Sequence, residues 1–256
     1  MKKANDISPE HFIAEHFFVY TIKGTMNLFD GNEHRALQAG DSCIARKNRL
    51  GRIHNVREHD ELEKVIIALD EKSLQLFQEK YKLRAIKFTP TNTFIQLKRH
   101  PLLPYYVDSL QPYYKHGNLL APFGDVKREE LLLILLKSQP ELAGLFFDYG
   151  IPGKINIEEF MHRNYQFNIS IERFAFLTGR SLSAFKRDFR QVFNETPSRW
   201  LVLKRLQEAH FLIEKKHEKP SEIYLDLGFE TLSHFSYAFK AQFGVTPTAL
   251  AGRKGG

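Results

Sequence analysis

Over residues 16–70 apolar and polar positions alternate in short runs, the pattern of strands. Phe17 to Ile22 is rich in aromatic and β-branched residues, and Thr25 to Phe29 runs into Asp30-Gly31, a strong hairpin turn pair. Arg35 to Gln38 leads into a second turn at Ala39-Gly40-Asp41, and Val65 to Leu69 is a compact apolar run suited to a buried strand. Strands this short and closely spaced predict a small antiparallel barrel or sandwich. From Glu71 the period changes: Leu74, Phe77 and Tyr81 sit at helical spacing. An irregular stretch with Pro90, Pro101, Pro104 and Pro112 comes next. Lys127 to Lys137 then predicts a helix apolar around more than half its circumference, which requires burial on two sides. Pro140, Gly150, Pro152 and Gly153 punctuate the next stretch and place a domain boundary at about Tyr149–Lys154, dividing 1–150 from 151–256. Everything beyond is helical in pattern.

The second domain repeats itself. At an offset of 50, Leu182, Ser183, Phe185, Phe189, Phe193, Thr196 and Pro197 are matched by Leu232, Ser233, Phe235, Phe239, Phe243, Thr246 and Pro247. Upstream, Gly179 pairs with Gly228 at an offset of 49, so one residue is gained in the turn of the second copy. Each copy predicts a short helix, a Gly-containing turn and a longer helix, the form of a helix-turn-helix. In the first, Ser170 caps Ile171 to Leu177, Thr178-Gly179-Arg180 turns, and Ser181 to Phe193 is the second helix. In the second, Pro220 precedes Ser221 to Leu227, Gly228 turns, and Thr231 to Phe243 is the longer helix. Between the copies Ser198 to Lys216 predicts one amphipathic helix with Trp200, Leu203, Leu206 and Phe211 as its apolar face. Two helices held apart in this way can enter successive major grooves, about 10–10.5 bp apart, on one side of a duplex.

The longer helix of each copy carries phenylalanines every four residues, a stripe for core packing. Its other face is polar: Ser183, Lys186, Arg187 and Arg190 in the first, and Ser233, His234, Ser236, Tyr237 and Lys240 in the second. A face that is merely solvated normally mixes in Glu for i,i+4 pairs, whereas Asp188 is the one acidic residue in either helix. Small polar and cationic residues suit a helix lying against phosphates and base edges.

Charge agrees with this division. The formal net charge is +7. Residues 1–150 carry 21 Lys+Arg against 19 Asp+Glu, and residues 151–256 carry 16 against 11, so a polyanion would meet the second domain. Apolar residues at 43% and charged residues at 26% are globular proportions and exclude a disordered chain. The single cysteine, Cys43, excludes a disulfide framework and a Cys-based zinc site within one chain. It falls in an expected strand and reads as a buried small hydrophobe. The first residues lack the apolar core of a secretory signal, and the run Leu131 to Leu136 is too short to span a bilayer. The expected protein is soluble and cytoplasmic, with no membrane partner. Glu129-Glu130 and Glu158-Glu159 are adjacent pairs that point to different sides of a helix, so neither is a catalytic pair. No Walker-type Gly-rich loop precedes a helix.

The duplicated architecture resembles the AraC/XylS family of bacterial transcription regulators over about residues 154–250. The strongest stretches are Arg205-Leu206-x-x-Ala209-x-x-Leu212-Ile213, then Ile223-x-x-x-x-Gly228-Phe229 with Phe235, Phe239, Lys240, Phe243-Gly244 and Thr246-Pro247. The resemblance implies an α+β, two-domain protein. Its C-terminal all-α domain of two helix-turn-helix units joined by a linker helix would bind promoter DNA, usually to activate transcription, and recruit RNA polymerase. Carried over, base contacts fall to Ser183, Lys186, Arg187, Ser233, His234, Ser236 and Tyr237, and phosphate contacts to Arg180, Arg190, Thr231 and Lys240. Two positions depart from the family pattern. Tyr224 stands where a small residue, normally Ala, lets helices approach, and the second face lacks an arginine. The N-terminal domain resembles the family's cupin-like antiparallel β-barrel with trailing helices, through Gly24 and Leu37-x-x-Gly40-Asp41. That implies a regulatory domain binding a small effector or a regulatory protein. The helices around Tyr105 and Leu131–Leu136 serve either a homodimer contact or internal packing. His34, His54 and His59 form no His-x-His pair, so no metal, no cofactor and no enzymatic activity are expected. The rival to a DNA-binding regulator is a non-metal cupin protein whose helical domain docks other proteins.

Overall fold

The computed structural model describes residues 11–55, 62–84, 87–88, 90–115, 118–119 and 122–252; His59 lies outside them. The chain divides into two compact units, Met1–Ile151 and Pro152–Gly256. The first unit runs β1 (Phe12–Ile13), β2 (His16–Lys23), β3 (Thr25–Phe29), β4 (His34–Gln38), β5 (Ser42–Ala45), β6 (Arg49–Leu50), β7 (Arg52–Asn55), β8 (Glu63–Leu69), α1 (Glu71–Tyr81), β9 (Phe94–Gln96), α2 (Leu102–Asp108), β10 (Tyr114–Lys115), β11 (Asn118–Leu119), α3 (Phe123–Ser138) and α4 (Ala143–Phe146).

Two antiparallel sheets dominate it, one ordered β8-β2-β5-β9 and the other β4-β3-β7. Period-2 alternation gives the larger sheet two apolar faces. Phe18, Tyr20, Ile44, Ile67 and Leu69 pack with Leu74 and Phe77 of α1, Leu103 and Tyr106 of α2, and Leu131, Leu132 and Leu135 of α3. Val19, Cys43 and Ala45 face the other way and pack with Met26, Leu28 and Leu37 of the smaller sheet. The unit is thus layered helix, sheet, sheet. Phe29 pairs with His34, so the β3–β4 loop holds four residues, Asp30 to Glu33. The Asp30 carboxylate closes it by accepting from the Asn32 and Glu33 amides, both at 3.0 Å.

Helix α3 begins at Phe123 and not at Lys127, with Asp125 in its first turn, where the helix dipole favours a carboxylate. It is not clamped on two sides, because Leu133 is exposed; a wide arc of its surface packs into one core. Cys43 is fully buried, and burial pushes its thiol up to about 12. Among the described residues no helix is long and apolar enough to cross a membrane, and no group of three or more His, Cys, Asp and Glu could hold a metal ion.

The second unit is helical: α5 (Ile157–Asn164), α6 (Ile171–Leu177), α7 (Leu182–Phe193), α8 (Pro197–Lys216), α9 (Pro220–Ile223), α10 (Leu232–Phe243) and α11 (Pro247–Gly252). The copies share their punctuation. Ser170, Ser181 and Thr231 cap α6, α7 and α10 by accepting from the amides of Arg173, Ala184 and His234. Asn194 and Gly244 end α7 and α10 in the left-handed conformation, 50 residues apart, and Pro197 and Pro247 open α8 and α11. The turns inside the pairs have one geometry. The Arg180 amide donates to Ala175 O and the Gly179 amide to Phe176 O; Phe229 donates to Tyr224 O and Gly228 to Leu225 O. These are Schellman turns, which need a left-handed residue at the glycine. Gly179 and Gly228 have φ +66 and +85, and a Cβ on either would press into backbone or the Arg205 guanidinium.

Helix α9 departs from expectation. Regular helix stops at Ile223, and residues 224–228 continue as a hydrogen-bonded turn. At the matching place the first copy has Ala175, fully buried in α6, where a small residue permits close packing. Tyr224 is too large for that place and lies half-buried at the edge of the second copy's core.

Candidate nucleic-acid interface

The phenylalanine stripes hold each longer helix by one side. Phe185, Phe189, Phe235 and Phe239 are fully buried, while Phe193 and Phe243 are half-buried. Successive rings stand 5.6 and 4.3 Å apart in α7, and 5.7 and 4.7 Å apart in α10. Trp200 of α8 closes the first stripe against Phe189 and Phe193, and His210 closes the second against Phe239 and Phe243.

Anchoring one side fixes what the other side presents. Ser183, Lys186, Arg187 and Arg190 are exposed on α7; Ser233, His234, Tyr237 and Lys240 are exposed on α10, where Ser236 is half-buried. Tyr237 is 78% exposed, an unusual position for a large aromatic ring. The His234 ring rests edge-on against Phe229 at 5.8 Å. Thr231 is exposed, with its hydroxyl oxygen accepting from the His234 amide at 3.2 Å.

Arg180 lies apart from the other expected contacts. The family resemblance places it against phosphate, yet its side chain is 7% exposed. Its Nε donates to Asp188 Oδ2 at 3.0 Å, and its Nη1 donates to Ile155 O at 2.9 Å and Thr178 O at 2.7 Å. Arg180 pins the turn to α7 and to the extended entry into the unit. Hydrogen bonds from Arg180, and then from Arg187, hold the Asp188 carboxyl below the usual carboxylate range.

The face of α8 also differs from expectation. Pro197, Leu201, Arg205, Leu206, Ala209 and Ile213 are its buried positions, whereas Phe211 is 47% exposed and Trp200 and Leu203 are half-buried. Burial of an arginine shifts the apparent apolar face, and hydropathy gives no warning of it. The Arg205 Nε donates to Tyr165 O at 2.7 Å, Nη2 to Phe167 O at 2.9 Å and Nη1 to Gly228 O at 2.9 Å. Tyr165 and Phe167 lead into the first helix pair, and Gly228 is the turn of the second. One guanidinium therefore grips both copies, and the spacing of α7 and α10 is built into the unit. The linker pattern beginning at Arg205 marks the position in the sequence without revealing its task.

In the first unit a cleft of about 410 Å³ opens between α1 and α3, lined by Leu76, Phe77 and Leu132. Ion pairs between Lys80 and Glu129 and between Arg128 and Asp125 border it.

Fold and site define a protein with an antiparallel sheet unit and a unit of twin helix pairs. Residues 16–145 match the family model described as the ExsA N-terminal regulatory domain, and residues 174–253 match a helix-turn-helix domain model. The virulence regulon transcriptional activator VirF of Yersinia enterocolitica is 26% identical over 152 residues, covering 58% of this chain and 55% of VirF. The HTH-type transcriptional regulator ExsA of Pseudomonas aeruginosa is 26% identical over 163 residues, covering 62% of this chain and 58% of ExsA. The chain thus spans a little over half the length of the curated relatives it matches. An apo ToxT variant from Vibrio cholerae aligns over 94% of this chain and 90% of that chain, at 11% identity and a TM-score of 0.46. The chain belongs to the AraC-type family of regulators, with an ExsA-type N-terminal regulatory domain.

Proposed function

We propose that this protein is a sequence-specific DNA-binding regulator of transcription, and an activator. Its C-terminal unit reads promoter DNA, and its N-terminal unit responds to a small ligand or a regulatory protein. One observation carries the reading: two outward helix faces with a single acidic residue between them, anchored by phenylalanine stripes and held at fixed spacing by Arg205. Base contacts are assigned to Ser183, Lys186, Arg187, Ser233, His234, Ser236 and Tyr237, and phosphate contacts to Arg190, Thr231 and Lys240; Arg180 leaves the set. In the same reading the two sheets are the walls of a cupin-like barrel, and a homodimer forms through α2 and α3, where Leu102 and Tyr105 are exposed. RNA polymerase is the partner through which bound protein activates.

A gel-shift titration against promoter fragments tests the reading. A protein neutralising several phosphates loses affinity steeply between low and moderate salt, whereas a helical unit that docks other proteins shows no such slope. Arg187→Ala is expected to weaken binding to a selected site by about 1–3 kcal/mol and to relax sequence preference there. Unchanged affinity would remove Arg187 from the base contacts.

A further inference from the structure

The first outward face contains a carboxylate, which is unfavourable beside phosphates, and that carboxylate is bonded at both oxygens. Asp188 Oδ2 accepts at 3.0 Å from Nε of Arg180, whose buried guanidinium is itself fixed on the Ile155 and Thr178 carbonyls. Asp188 Oδ1 accepts from Arg187, from Nε at 3.3 Å and from Nη2 at 3.1 Å. Lys154 Nζ stands 3.8 Å from Oδ2. An unbroken line of contacts thus runs from backbone through Arg180 and Asp188 to Arg187, whose own side chain is 68% exposed.

A guanidinium is planar, with five N–H donors in a fixed fork. Asp188 engages the Nε–Nη2 side of that fork. The Nη1–Nη2 end of the fork lies outside that contact, on a side chain that is 68% exposed. Two parallel N–H donors at that end match O6 and N7 of a guanine in the major groove. An arginine without such a brace loses more rotamer freedom when it binds.

Resting on the reading of this unit as a DNA reader, we propose that Asp188 is a positioning residue that orients Arg187 to recognise a guanine. Asp188 does not touch DNA. It lowers affinity for duplex in general, by placing a negative charge at the contact face, and sharpens selectivity at one base pair. A residue that only stabilised the fold would move both quantities the same way.

The test uses the full chain. Wild type, Asp188→Asn, Arg187→Ala and the double variant are each incubated with a pool of randomised duplexes, and the bound sequences are read. Affinity for poly(dI-dC) is measured in parallel, with a thermal melt of every variant. Wild type is expected to enrich guanine at one position by roughly 10- to 100-fold, the discrimination of a bidentate pair. Asp188→Asn, which keeps an oxygen for Arg180, is expected to lower that enrichment roughly tenfold while binding poly(dI-dC) at least as tightly. In the Arg187→Ala background the Asn substitution is expected to change nothing further at that position. If Asp188→Asn melts lower, Asp188→Glu makes the same test, because it keeps the charge and displaces the carboxylate by one methylene; loss of guanine preference is again expected. A guanine preference that survives in folded Asp188→Asn or Asp188→Glu overturns this inference alone. A wild-type protein that enriches no sequence overturns the DNA-reading assignment beneath it.

Discussion

Single residues do unlike work here although they share a chemical type. Arg187 is exposed, Arg180 is turned inward, and Arg205 is buried among three carbonyl oxygens. A lysine has one point charge where Arg205 has a planar fork, so it cannot reach all three acceptors. Arg205→Lys is expected to destabilise the C-terminal unit by about 2–4 kcal/mol, read from its melting transition, because carbonyls in a closed core are left unpaired. A variant melting with wild type would show that the clasp contributes nothing. His16 provides a pH dependence. Burial first, then Lys47 and Arg46, pushes its imidazole from 6.5 down to about 3. The native ring stays neutral where the unfolded chain takes up a proton, so its contribution is complete above pH 6.5 and is lost as pH falls toward 3. At pH 5 the loss is about 2 kcal/mol. Denaturant midpoints at pH 7 and pH 5 should therefore converge in His16→Gln. An equal gap in wild type and variant would exclude His16 as the cause.

At the scale of elements, the phenylalanine stripes make their own prediction. Phe239 is fully buried between Phe235, Phe243 and His210. Phe239→Ala is expected to cost about 3–5 kcal/mol, seen as an earlier thermal transition of the C-terminal unit. These stripes are also why α7 and α10 are legible in the sequence: large apolar residues every four positions, bracketed by Ser181 or Thr231 and by Asn194 or Gly244, leave little freedom of assignment. Elements whose position depends on distant partners are less legible. Strand β9 is three residues long in a proline-rich stretch and owes its pairing to β5, at Cys43, Ile44 and Ala45. Hydropathy misplaces the buried side of α8 because Arg205 faces inward and Phe211 outward, the reverse of their polarity. Helix α9 is shorter than its pattern predicts, although the oversized Tyr224 is visible at the position where it ends. The inward turn of Arg180 has a local signal too, since Asp188 lies within reach on α7, but nothing in the spacing says which of the two neighbouring arginines is buried.

For the whole molecule, the chain divides into two compact units between Ile151 and Pro152. Each has a core of its own, so residues 152–256 are expected to fold alone and to bind duplex DNA in a gel shift, while residues 1–151 do not. A soluble 152–256 fragment that binds no duplex would require the sheet unit for recognition. The Arg205 clasp also bears on how such a chain can change in length. Each added helical residue rotates the downstream chain by about 100° and advances it about 1.5 Å. One residue inserted in α8 between Arg205 and Ile213 would swing the later copy through more than a quarter turn and carry the Gly228 carbonyl away from its guanidinium. A whole turn of three or four residues would restore the phase but still shift Gly228 by about 5 Å along the axis, so it too would break the clasp. Between Arg205 and the second copy, α8 thus acts as a ruler whose length and phase are both set by a single guanidinium.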